Sequence, residues 1–254
     1  MATLQEICES DHQACLAELP RAFKNSEKGS SNWYRLELYR IDAYYGLINT
    51  AELGKALDNL ESEPNLPAKL QLKLYIYRAK LAGYKGQTTD VALYKQKATD
   101  FLETLKDNIK SPDMIIDYAN FQLYTKQYQH VIDNLLPLEK AFRHHKNSRI
   151  KYRIYTNLGN LYVYIGDLET SLDNFQLAYE NAQLHGHEYN QTMALYNVAR
   201  GLQKLGRLTQ AKLKFIQILS RAKQNNDNVH ASLSNYRVGE ILVIEQKYSE
   251  AQQY

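Results

Sequence analysis

Apolar residues recur three or four apart along most of the chain, in paired segments separated by short polar turns, and the pairs themselves repeat. The turns align most clearly. Gly166-Asp167-Leu168, Gly206-Arg207-Leu208 and Gln246-Lys247-Tyr248 follow one another at intervals of 40 residues, and the same step leads back to Lys126-Gln127-Tyr128, to Gly86-Gln87-Thr88 and, less clearly, to Gly46. Ahead of each turn a small residue returns at one phase: Ala79, Ala119, Gly159, Ala199 and Gly239. Behind it come Val91, Val131, Ser171, Ala211 and Ala251, then Leu135, Phe175 and Phe215.

Spacings of three and four place these residues on one face of a helix, and small side chains let two helices approach closely. Each unit therefore reads as two amphipathic helices joined by a tight turn, and such a hairpin buries its apolar faces only against itself and its neighbours. The pattern predicts a capping helical segment at residues 3 to 25 and hairpins near 31 to 62, 66 to 106, 111 to 144, 148 to 185 and 188 to 225, with a sixth opening near 228. Two connecting stretches read as loops: Lys24 to Asn32, rich in Ser, Lys, Asn and Gly, and Glu61 to Pro67, with two prolines. The domain reading is a capping segment at residues 1–30 and an array of about five and a half hairpins at 31–254, cut short within its last hairpin.

Tyr155, Leu158-Gly159, Tyr162, Ser171, Phe175 and Ala178 carry the clearest likeness to a known family, and Leu195, Val198-Ala199, Leu202, Ala211, Phe215 and Ile218 follow it in the next unit. The pattern resembles the tetratricopeptide repeat (TPR) family over residues 66 to 254, and more weakly over 30 to 62, where Trp33, Leu36, Leu38 and Ile41 fit either of two adjacent registers. The resemblance implies an all-α fold, an α-solenoid of antiparallel helical hairpins wound into a superhelix. The period is longer than the family's usual ~34 residues, and the extra residues amount to about one and a half helical turns shared across each pair. Long-repeat variants of this kind resemble the sensor or interaction domains of bacterial signalling proteins, such as those preceding diguanylate cyclase or histidine kinase domains, and peptide-responsive regulators.

In TPR arrays the first helix of each pair lines the concave side, and ligands bind one and five positions after the small residue. Carried over by phase, the first set is Arg40, Lys80, Asn120, Asn160, Arg200 and Glu240, and the second is Tyr44, Tyr84, Tyr124, Tyr164, Lys204 and Ile244. The resemblance thus implies a groove using Arg40, Tyr44, Lys80, Tyr84, Asn120, Tyr124, Asn160, Tyr164, Arg200 and Lys204. Tyrosine suits peptide contact because it offers a large rigid face and a hydroxyl at low entropic cost. In a chain with 21 tyrosines, the same residues also serve as packing groups between repeats.

Charge adds little: 31 basic and 28 acidic residues are well mixed, for a net +3, so no strong field points to nucleic acid. No apolar run approaches the ~20 residues that span a bilayer. The sequence lacks phosphate-cradling glycine loops, zinc-protease motifs and nucleophile elbows, and its two histidine clusters, His144-His145 and His185-Gly186-His187, sit where second helices end and favour the helix dipole. No catalytic, cofactor or metal residues are expected. Cys8 and Cys15 would lie about 10 Å apart along one unbroken helix, too far to bridge. Ser10 and Asp11 are good N-caps, and a helix break there would let them pair, but two ordinary buried thiols are the favoured reading.

The expectation is therefore a non-enzymatic module that binds a protein or peptide, without cofactor, nucleic-acid contact or membrane contact of its own. The alternatives are a scaffold with no groove ligand and a peptide-responsive regulator. A periplasmic sensor setting is slightly favoured over a cytoplasmic one.

Overall fold

The computed structural model describes residues 3–105, 110–224 and 227–254, and every regular element among them is a helix. In unit 1, α1 (Leu4–Ser10) and α2 (His12–Lys24) precede the hairpins α3 (Ser31–Gly46)/α4 (Thr50–Glu61) and α5 (Ala68–Tyr84)/α6 (Thr88–Thr104). Then come α7 (Pro112–Tyr124) and α8 (Tyr128–Phe142), after which α9 (Ser148–Ile165) pairs with α10 (Leu168–His185), α11 (Glu188–Lys204) with α12 (Leu208–Gln224), and α13 (Asn228–Ile244) with α14 (Tyr248–Ala251). The chain divides into two compact units, Met1–Phe121 and Gln122–Tyr254, with the boundary inside α7. The hairpin ends expected at 106 and 225 lie outside the described residues. No described helix is long and apolar enough to cross a membrane.

The repeating turn has one backbone form. Gly86, Lys126, Gly166, Gly206 and Gln246, each 40 residues from the next, all have positive φ, from 59° to 88°. At Gly86 the helix closes with Gly86 N–H bonding to Gly83 O (3.1 Å) and Gln87 N–H bonding to Ala82 O (2.9 Å). This pair of bonds satisfies carbonyls left orphaned at a helix end. Polar side chains cap several helix starts: Asp167 accepts from Thr170 N–H, Asn147 from Ile150 N–H and Ser30 from Trp33 N–H.

The first hairpin breaks the step. Its left-handed residue is Ile48 (φ 54°), two positions beyond the phase that Gly46 occupies, and Gly46 itself ends α3. Gly46 is there for packing: a Cβ at that position would stand 2.1 Å from the His12 ring of α2. Absence of a side chain at 46 admits α2, and the turn moves onto a β-branched residue that resists positive φ.

Within unit 1, Ile41, Leu53, Leu57, Leu60, Leu70 and Leu74 are buried between α3, α4 and α5, and Leu36 packs on the α1/α2 side with Cys8, Cys15 and Leu19. In unit 2 the core runs through Leu172, Phe175, Leu195, Ala199, Ala211 and Phe215 to Ile241. Full burial of each such large side chain contributes about 2 kcal/mol. The small-residue phase is where helices meet: Ala199 has no exposed surface, and a Cβ on Gly159 would stand 2.5 Å from the Phe175 ring. Beside it, Ser171 Oγ donates to Gly159 O at 2.9 Å, a bond open only where backbone is reachable.

Cys8 and Cys15 form a disulfide, with Cα atoms 4.5 Å apart. Asp11 makes this possible. Its backbone is extended, it ends α1, and its carboxylate caps α2 by accepting from Gln13 and Ala14 N–H. The break folds two short helices side by side instead of leaving the cysteines two turns apart on one rod.

Candidate functional site

In unit 1 the first-helix residues of successive hairpins form a polar and aromatic cluster. Lys73 of α5 lies 3.3 Å from Asp42 of α3 and 3.5 Å from Asp117 of α7. The Tyr77 hydroxyl donates to Asp42, and burial followed by the neighbouring Asp42 charge pushes the phenol well above its usual range. Lys80 Nζ stands 4.4 Å over the Tyr45 ring and 5.6 Å from that of Tyr77. Burial, assisted by the positive charge of Lys73 and opposed by Asp42 and Asp117, lowers the Lys80 pKa to about 8. Tyr84 is about half exposed and its ring lies 6.3 Å from Tyr45. Asn120 is exposed on α7.

Arg40 and Tyr44 do not share this arrangement. Because the first turn comes two residues late, they are about 200° around the helix from the expected phase, and Asp42 and Gly46 hold the positions corresponding to Lys80 and Tyr84. Arg40 and Tyr44 line a separate cavity against Phe23 and Trp33.

In unit 2, Tyr124 and Tyr164 are 50% and 59% exposed, and Tyr164 stacks on Tyr128 with centroids 5.7 Å apart and planes 14° apart. Asn160 is half-buried on α9. Arg200 and Lys204 of α11 face α13 across a pocket of about 730 Å³, lined there by Tyr236, Arg237, Glu240, Val243 and Ile244. Arg237 donates to Glu240 at 2.7 Å and to the Tyr196 hydroxyl at 3.3 Å, and Gln203 reaches Glu240 at 3.4 Å. Burial raises the Glu240 pKa, but hydrogen bonds from Arg237, Tyr236 and Gln203 outweigh it and hold the carboxyl below its usual range. Tyr236 and Ile244 are 60% and 59% exposed.

Arrangement and chemistry together could accommodate an extended or small partner. Arg200, Lys204 and Arg237 offer donors for carboxylates or peptide carbonyls, Tyr236 and Ile244 an apolar floor, and Glu240 one fixed acceptor. Tyr236 and Arg237 fall outside the two family phases. Their helical spacing of four and three residues before Glu240 was the available signal. Both histidine clusters are at second-helix ends, His185 closing α10 and His144-His145 following α8, and no group of three or more metal-ligating side chains occurs among the described residues.

These features define a class: an all-helical protein built of antiparallel hairpins packed on their neighbours, with the TPR-type helical repeat fold. Solved structures of that class are similar to it at low identity. A Rap protein crystallised in complex with competence and sporulation factor superposes with a TM-score of 0.66 at 16% identity, over 98% of this chain and 71% of that one. Aspartyl phosphate phosphatase F from Bacillus subtilis gives 0.60 at 16% identity, over 98% and 70%. A signal transduction ATPase with numerous domains and a TPR sensor, from Pyrococcus horikoshii, gives 0.61 at 12% identity, over 99% of this chain and 40% of that one. No protein-family model and no curated protein sequence matches the chain.

Proposed function

We propose that this protein is a peptide- or protein-binding helical-repeat module whose ligand lies on the first-helix face, and that it is the sensory or interaction part of a larger signalling protein. The observation that carries the reading is the pocket between α11 and α13, where three cationic side chains converge on exposed Tyr236 and Ile244. Such a surface suits a peptide with an acidic residue next to an apolar one. Exposed Tyr124 and Tyr164 extend the same kind of surface along unit 2. Two of the similar folds lend support through what they carry, a bound factor in one and a sensor in the other. In this reading the module performs no reaction itself.

The Cys8–Cys15 disulfide favours an oxidising, extracytoplasmic setting, since such bonds persist outside reducing compartments. Peptides selected from a displayed random library test the binding reading. They are expected to be enriched in Asp or Glu beside apolar residues. Binding should fall at least ~10-fold in Arg200→Glu/Lys204→Glu, since reversing a contacted charge costs upwards of about 1.4 kcal/mol. Substituting Tyr124 and Tyr164 by Ala tests the rest of the face. Undiminished capture in both variants, with the helical circular dichroism intact, leaves the scaffold reading standing instead.

A further inference from the structure

Unit 1 holds a second cavity, of about 690 Å³, between α2, α3 and the end of α4, which shares no residue with the α11/α13 pocket. That volume falls within the range of small-molecule sites. Its walls are apolar and aromatic, with Leu19 and Phe23 of α2, Trp33 of α3 and Leu60 of α4. Its floor is charged. Glu37 is only 1% exposed, and Arg40 Nη2 donates to both of its carboxylate oxygens. At the mouth, Lys28 and Glu63 are paired at 2.7 Å, with the Lys28 ammonium 5.9 Å over Trp33.

Two features of the floor stand out. Arg40 Nε is buried and has no hydrogen-bond partner among the described residues, although the guanidinium is packed 5.1 Å over the Phe23 ring. A buried donor left without a partner carries an uncompensated desolvation cost. Glu37 keeps acceptor capacity beyond its two bonds from Arg40. Burial raises its pKa against the opposing pull of Arg40, so the carboxylate is incompletely compensated by its partner.

We infer that this cavity binds a free α-amino acid with a large apolar or aromatic side chain. Its ammonium would be set on Glu37, its carboxylate on Arg40 Nε, and its side chain among Phe23, Trp33 and Leu60. The ligand carries both charges on one carbon, and Glu37 and Arg40 are adjacent, joined by the hydrogen bonds from Arg40 Nη2. The four ionised side chains lining the cavity sum to zero, which suits a zwitterion and disfavours a ligand with net charge. A peptide terminus presents only one of the two charges, so it leaves one floor group unanswered.

Trp33 is the sole tryptophan in the chain, so its emission reports this cavity alone. The whole protein is titrated with L-phenylalanine, then with phenylalaninamide, N-acetylphenylalanine and 3-phenylpropionate. The expected result is a saturable change of Trp33 emission with L-phenylalanine and at least ~10-fold weaker binding of each analogue, the loss expected for one unpaired buried charge. Arg40→Lys, which keeps the charge but removes Nε, should weaken L-phenylalanine at least ~10-fold with unchanged far-ultraviolet circular dichroism. Should that variant not fold, the analogue series on the parent protein decides. No saturable response to L-phenylalanine, an amide or N-acetyl analogue binding as tightly as the free amino acid, or a folded Arg40→Lys variant binding like the parent each overturns the inference. An amide that binds equally well would assign the cavity to peptide N-termini.

Discussion

Gly159 sits where α9 crosses α10, and replacing it by alanine sets two opposing effects against each other. Alanine in a helix interior is favoured over glycine by about 1 kcal/mol, because the unfolded chain loses less freedom and the backbone is better covered. Against this, the new Cβ would stand 2.5 Å from both Cδ1 and Cε1 of Phe175, whose ring is 3% exposed and held by the unit 2 core. A ring in that position cannot retreat without moving its neighbours, and overpacking of this kind costs about 1–3 kcal/mol. Separating the helices also stretches the buried 2.9 Å bond from Ser171 Oγ to Gly159 O, worth about 1 kcal/mol. The net expectation for Gly159→Ala is a loss of about 1–3 kcal/mol. Gly54→Ala in α4 is the matched control, since its Cβ would meet nothing nearer than Leu81 at 3.7 Å. It should therefore gain about 0.5–1 kcal/mol from propensity alone. Urea unfolding followed by circular dichroism at 222 nm gives both midpoints; because stacked repeats can unfold in stages, each is compared with the parent transition for its own unit. A Gly159→Ala midpoint at or above the parent's would refute the close-approach argument. Equal losses in the two variants would show that the loss has another source.

Three further outcomes are expected. Ile48→Gly should raise the thermal midpoint by the equivalent of about 1 kcal/mol, since Ile48 is 63% exposed and its φ of 54° is costly for a β-branched side chain; an unchanged or lower midpoint counts against strain at this turn. Lys80, with its pKa lowered to about 8, is bound to fewer protons when folded than when unfolded between pH 8 and about 10, so its penalty is full below 8 and stability rises through that window. That slope should vanish in Lys80→Met, and its persistence there would assign it to another group. Reducing the Cys8–Cys15 bond, which closes a loop of about eight residues, should cost about 2–3 kcal/mol by the chain-entropy estimate, read as a lowered melting temperature with dithiothreitol; no shift would show that α1 and α2 are held by packing alone.

Much of this architecture is written in the period. Five successive turns at one phase all adopt positive φ, including Lys126 and Gln246, which no residue preference would have picked out. The small-residue phase marked the crossing helices for the same reason, since a 40-residue step keeps equivalent side chains facing equivalent neighbours. Legibility failed where one residue type serves two purposes. Gly46 matched the turn phase, but its missing side chain accommodates His12, and one sequence cannot distinguish a glycine chosen for φ from one chosen for contact. That two-residue error passed directly to Arg40 and Tyr44. The cysteines show the complementary case: the capping signal at Asp11 was visible, but choosing between a break and a continuous helix depended on packing around Cys15, Leu19 and Leu36 that only the folded structure contains.

The same displacement links the unit 1 cluster and the second cavity. Had the 40-residue step held through the first hairpin, Arg40 would stand with Lys73 and Lys80, adding a third cation to a cluster where Lys73 already helps to lower the Lys80 pKa. With the turn delayed to Ile48, that phase carries Asp42 instead, which pairs with Lys73 and accepts from Tyr77. Arg40 is turned toward α2, where Phe23 covers it, and Glu37 of its own helix neutralises it. One irregular turn thus balances the unit 1 cluster and supplies the charged floor of the second cavity. Moving the turn back by deleting two residues between Leu47 and Thr50 would have to disturb both together, whereas a substitution confined to Lys80 should leave the Trp33 cavity as it was.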